Sequence, residues 1–103
     1  MTIVTTDFIS GKNIETLAIV FGSTVRAKNV LHDIGAGLQN LFGGEVDSYT
    51  DMMDESRAIA IERMTKKAQA LGADGIVNVR FSASSIMEGA AEVTAYGTAV
   101  RFV

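Results

Sequence analysis

The strand-forming stretches of this chain are apolar on both faces, and that limits what it can fold into more than any other feature. Within residues 15–27, Leu17, Ile19, Phe21 and Val25 alternate with Ala18, Val20 and Gly22. Near the C-terminus, Val93, Ala95, Gly97 and Ala99 fall on one face, and Tyr96, Val100 and Phe102 on the other. An antiparallel sheet with one wet face alternates apolar with polar residues. Here both faces call for cover. The helices the sequence offers can shield one face only, so the other must meet something else, most simply a second copy of the chain.

The rest of the secondary structure is read from periodicity and turn chemistry. Residues 3–6 form a short strand, and a turn at Ser10-Gly11-Lys12 leads into the long strand 15–27. Asn29 caps an apolar run at Leu31, Ile34, Leu38 and Leu41 that reads as a first helix ending at Gly43-Gly44. Ser48, with Asp51 three residues on, opens a second helix running to Gly72. Residues 75–87 and 91–103 form two more strands around Glu88-Gly89-Ala90. The expected fold is α+β, a mostly antiparallel sheet with two helices on one face. With 103 residues and no linker or repeat, residues 1–103 make a single domain. Gly35 and Gly37 cost helix stability unless another backbone approaches closely there. An irregular first helix explains them equally well.

On the second helix, Met53, Arg57, Ala60, Met64, Ala68 and Leu71 share one arc, with Ile61 beside it. Arg57 interrupts that apolar stripe, and a buried guanidinium needs carboxylate or carbonyl partners. Arg57 therefore anchors the candidate ligand site, together with Glu45, Asp47, Tyr49, Tyr96 and Thr98. Such a group can hold a small anion or close a subunit interface as an ion pair. On this reading Arg57→Ala costs more stability than Glu62→Ala, because Glu62 sits on the opposite, solvated arc with Lys66.

Other chemistries are thinly represented. The chain has no cysteine, which removes disulfides, thiolate metal sites and thiol nucleophiles. Its net charge of −3 argues against nucleic acid as a partner. No apolar run spans a bilayer and the N-terminus lacks a signal peptide's pattern, so the expectation is a cytoplasmic protein with no membrane partner. His32 is the sole histidine and lies off the apolar stripe of the first helix, as a solvated residue does. No nucleophile elbow is present. Gly35-Ala36-Gly37 lacks the third glycine of a dinucleotide fingerprint and the strand-to-helix setting. Glu45, Asp47, Asp51, Asp54 and Glu55 gather carboxylates at the second helix's start, where the helix dipole stabilises them without any cation. No catalytic residue is evident and no cofactor is specified; a metal ion is one candidate ligand.

Several segments taken in order resemble a known family. Asn40-Leu41-Phe42-Gly43-Gly44-Glu45, Tyr49-Thr50 and Ser56-Arg57-Ala58 come first. Ala70-Leu71-Gly72-Ala73-Asp74-Gly75-Ile76-Val77 and Ala95-Tyr96-Gly97-Thr98-Ala99-Val100 complete the set. Together they resemble the YbjQ-like family of small bacterial proteins, uncharacterised and labelled heavy-metal-binding, along nearly the whole chain. The family pattern often has Asn where this chain has Asp74. The resemblance implies a dodecin-like subunit and a homopentamer, a ring with sheets and helices arranged like a propeller. The metal label fits the residues poorly, since soft metals favour thiolate and imidazole. The chain offers one histidine and five methionines, of which Met53 and Met64 lie on the core stripe. A ring of His32 side chains from several subunits is the one arrangement that symmetry adds.

Overall fold

The computed structural model describes residues 1–27 and 44–103, with side chains along the helix described from Thr50 onward. The elements are β1 (Thr2–Ile3), β2 (Ile14–Ala27), α1 (Gly44–Ala70), β3 (Gly75–Met87) and β4 (Ala90–Phe102). The strands form one sheet in the order β1-β3-β4-β2. β4 pairs antiparallel with β2 on one side and β3 on the other, whereas β1 runs parallel to β3. The sheet is thus mixed, and the fold is α+β as expected. The expected first helix, with Gly35, Gly37 and His32, lies outside the described residues. The expected second helix is α1, which begins at Gly44 and not at Ser48.

α1 ends where its sequence tells it to. Gly72 takes the left-handed conformation, φ 77°. The amides of Gly72 and Ala73 turn back to the carbonyls of Gln69 and Ala68, at 3.0 and 3.1 Å. This is the Schellman closure that satisfies a helix's last carbonyls. Ala73 then packs into the core beside Ala68, so the cap also fixes the angle at which β3 departs.

α1 lies chiefly over β2 and β4. Its buried row is Ser56, Ala60, Met64 and Ala68, spaced four apart. At 100° per residue such a row drifts by 40° per step, which is how an i±4 ridge crosses a sheet obliquely. The drift corrects the expectation for Arg57. Averaged over the whole helix, Arg57 sits mid-stripe; locally, the buried position is Ser56, whose Oγ donates to the Met52 carbonyl at 2.7 Å. Arg57 is turned outward, its side chain 45% exposed. Leu71 lies past the end of the ridge and is exposed too. Val20, Val93, Ala95, Ala99, Ile76 and Val79 receive the helix from below. At Gly22 the α1 backbone comes so near that an added Cβ would overlap the main chain of Ala60 and Met64.

Two bulges reverse the alternation in the strands flanking β4. In β2 the register shifts between Thr16 and Ala18. Ile14 therefore packs on the face away from α1, although Val20, an even number of residues on, packs under it. In β3 the register shifts between Val77 and Arg80, where Asn78 adopts φ 56°. An extra residue in one strand flips every later side chain to the other face. The chain's first residues run along β3 at this point: Val4 donates to Ile76, Val79 to Val4, and Asn78 to Thr6.

The same N-terminal segment roofs one end of the sheet's outer face. Val4, Ile9, Ile14, Val77, Val100 and Phe102 form a second, smaller core there. Lys12 Nζ lies 5.2 Å from the centre of the Phe102 ring. The expectation that the whole second face awaits a partner is corrected at this end, which the chain covers itself. Past the bulges the outer face is uncovered by the described residues. Ile19 is 69% exposed, Val25 57%, Phe21 50% and Tyr96 39%. The chain is also elongated, with a radius of gyration of 17.2 Å. A compact chain of this length has a radius of about 13 Å.

Candidate functional site

The register of the sheet sets what the uncovered outer face presents. Tyr96 on β4 pairs with Phe21 on β2 and with Arg80 on β3. Directly paired residues share a face, so an aromatic ring, a phenol and a guanidinium line up across three strands. One pair further along, Ser23 and Thr94 share a hydroxyl hydrogen bond of 2.8 Å. On the other side of Tyr96, Ile19 is opposite Thr98. The result is a flat band, apolar along β2 and polar toward β3. Arg80 is tethered there, its Nη1 donating to the carbonyls of Thr5 at 3.0 Å and Val79 at 2.9 Å.

The residues singled out from the sequence are distributed over the molecule. Tyr96 and Thr98 belong to this band. Arg57 lies on α1, behind the sheet, where its Nη1 meets Asp54 Oδ1 at 2.9 Å. Within one chain the sheet stands between Arg57 and Tyr96. Glu45, Asp47 and Tyr49 fall in the first turns of α1, and their side chains are outside the described residues. The band's other members, Phe21 and Arg80, escaped the sequence reading because cross-strand register, set by two bulges, is not carried by any single strand's periodicity.

α1 also reaches around the open edge of β2. Arg63 Nη1 donates to the Ser23 carbonyl at 2.7 Å, and Lys67 Nζ stands 4.5 Å from the centre of the Phe21 ring. Arg26 on β2 pairs with Glu55 on α1 at 3.1 Å. These cationic groups occupy the side of β2 on which another strand would add. Asp74 has a structural role at the far end of the sheet: its Oδ2 accepts the Phe102 amide at 2.9 Å, and its own amide donates to Val100. An Asn there keeps an acceptor oxygen, which accounts for the interchange of the two residues at this corner.

A metal ion finds little to bind among the described residues. They contain no group of three or more His, Cys, Asp or Glu able to hold one. Asp54 and Glu55, from the acidic stretch, are each engaged by an arginine. Met64 is wholly buried in the core, its thioether packed among aliphatic side chains. These donors do not suit a soft metal, which seeks thiolate or imidazole. No described helix is long and apolar enough to cross a membrane.

Comparison with known proteins agrees with this description. The YbjQ family model, described as "Putative heavy-metal-binding", matches residues 1–103. A UPF0145 protein of Clostridium novyi is 53% identical over 103 residues, covering all of both chains. One from Archaeoglobus fulgidus is 54% identical over 100 residues, 96% of this chain and 93% of that one. One from Halorubrum lacusprofundi is 56% identical over 97 residues, 93% of each chain. The last two extend the relatives beyond bacteria into archaea. The chain also shares its fold with a crystal structure of a protein of unknown function from Pediococcus pentosaceus, assigned to the DUF74 family. The TM-score is 0.67 at 17% identity, covering all of this chain and 98% of that one. On the strength of a match along its whole length, the chain belongs to the UPF0145 family, the YbjQ-like proteins.

Proposed function

We propose that the protein is a non-enzymatic, cytoplasmic homo-oligomer that buries the uncovered outer band of its sheet against neighbouring copies. Support comes from Ile19, Phe21, Val25 and Tyr96, four large side chains exposed on one face of a rigid sheet. Apolar surface grouped in this way favours association, at about 25 cal/mol per Å² removed from water. The family resemblance favours a ring of five with sheets and helices arranged like a propeller. A ring also brings the band of one subunit toward the helix of another. Arg57, with Glu45, Asp47 and Tyr49, then approaches Tyr96 and Thr98 across a subunit boundary, where a small ligand or ion is taken up.

Native mass spectrometry of the wild-type protein and of Phe21→Ser tests this. The wild type is expected to be an oligomer at micromolar concentration. Phe21→Ser is expected to retain its circular dichroism and lose the assembly. A wild-type monomer overturns the proposal. The family description favours a second reading, metal buffering, and calorimetric titration with zinc, copper, nickel and calcium decides it. Saturable uptake supports that reading, and its absence removes it.

A further inference from the structure

The sheet's two long outer edges differ, and the difference locates a second contact between copies. The edge of β2 is blocked by Arg63 on the Ser23 carbonyl and Lys67 on the Phe21 ring. The edge of β3 is occupied only at its start, where the N-terminal segment pairs as far as Val79 and Arg80 holds the Thr5 carbonyl. From Phe81 to Met87 that edge has no strand beside it among the described residues, and every residue there is exposed. The stretch reads Phe-Ser-Ala-Ser-Ser-Ile-Met, with no charge, no proline and no glycine. Natural edges are ordinarily blunted by one of those devices, as β2 is by α1. In an antiparallel ladder, alternate residues of an edge strand point their N–H and C=O groups outward. These groups are a template for another strand.

The geometry points to a second copy of this chain as that strand, added antiparallel across β3 with a two-fold axis at Ser84. This rests on the self-association proposed above and adds a different interface to it. The ends of the stretch carry the reason: Arg80 precedes it and Glu88 follows it. Antiparallel pairing about Ser84 sets Arg80 of one copy opposite Glu88 of the other, twice. Parallel pairing in register would set like charges together. A pentameric ring contains no two-fold axis, so this seam joins two rings back to back.

Native mass spectrometry separates the alternatives. A decamer is expected. A pentamer overturns the seam and leaves the ring; a dimer upholds the seam and overturns the ring; a monomer overturns both. Two sets of variants test the register. The chain has no cysteine, so Ser84→Cys introduces the sole thiol, and mild oxidation is expected to link copies in pairs within the native assembly. Failure to link while higher assembly persists overturns the seam. Glu88→Arg is expected to weaken the seam about tenfold, because two-fold symmetry applies each charge reversal twice. Arg80→Glu together with Glu88→Arg restores it. No rescue in the double variant, with circular dichroism unchanged, also rejects this register.

Discussion

Val100 and Val25 have the same side chain and lie in the same sheet, yet their surroundings differ. Val100 belongs to the small outer core and is 1% exposed beneath the N-terminal segment. Val25 stands on a stretch left uncovered, at 57% exposure. At one end the chain spends about a dozen residues, Met1 to Lys12, roofing a patch that any small domain would bury for itself. At the other, larger apolar groups are left on a rigid support. A surface closed from within contributes to folding; one left open contributes to association.

The sharpest way to break this comparison lies at two adjacent residues with opposite neighbours. Gly22 faces the α1 main chain, and Phe21 faces outward. A side chain at Gly22 pushes the helix off the sheet, so Gly22→Val is expected to destabilise the fold by about 3 kcal/mol or more. Thermal melts followed by circular dichroism measure the loss. A melt unchanged from wild type contradicts the close approach.

Smaller effects follow for the two valines themselves. Val100→Ala is expected to cost about 2 kcal/mol, the loss of buried methyl groups plus a partly relaxed cavity. In the dissociated chain, Val25→Ala is expected to fall within about 0.5 kcal/mol of wild type. Association changes that result. If neighbouring copies bury Val25, its penalty grows with protein concentration and that of Val100 does not. Chemical denaturation at several protein concentrations distinguishes the two behaviours, and equal concentration dependence removes the distinction between a roofed and an open end.

Arg57→Ala and Glu62→Ala should differ least. Arg57 pairs with Asp54 and Glu62 with Lys66, and all four side chains are well exposed. Screened pairs of this kind contribute about 0–1 kcal/mol. The two variants are therefore expected to melt close to each other, reversing the order that the helical arc alone suggests. A much larger loss for Arg57→Ala, at concentrations where copies associate, locates Arg57 in a subunit boundary.

The fold was legible wherever a local rule acted alone. β3 spans the expected residues 75–87, β4 is displaced by one residue from its expected bounds, and Gly72 ends the helix as a left-handed cap. The excess of apolar strand surface could also be read directly, since side-chain alternation is a property of each strand. The candidate site was legible only in part. Tyr96 and Thr98 stand on the uncovered band, yet their neighbours Phe21 and Arg80 follow from register. Arg57 was misplaced because a helical arc averaged over many turns hides the drift of an i+4 ridge.

The sequence by itself determined the element types, the helix cap at Gly72 and the double-sided apolar strands, because propensity, capping and alternation act over a few residues. Only the tertiary structure decided which face each half of β2 and β3 presents. The bulges at Leu17 and Asn78 reverse that choice, and a bulge exists only in relation to the strand beside it. It also decided how much of the second face the chain covers, since an N-terminal segment acts as a roof only once β3 is there to receive its hydrogen bonds.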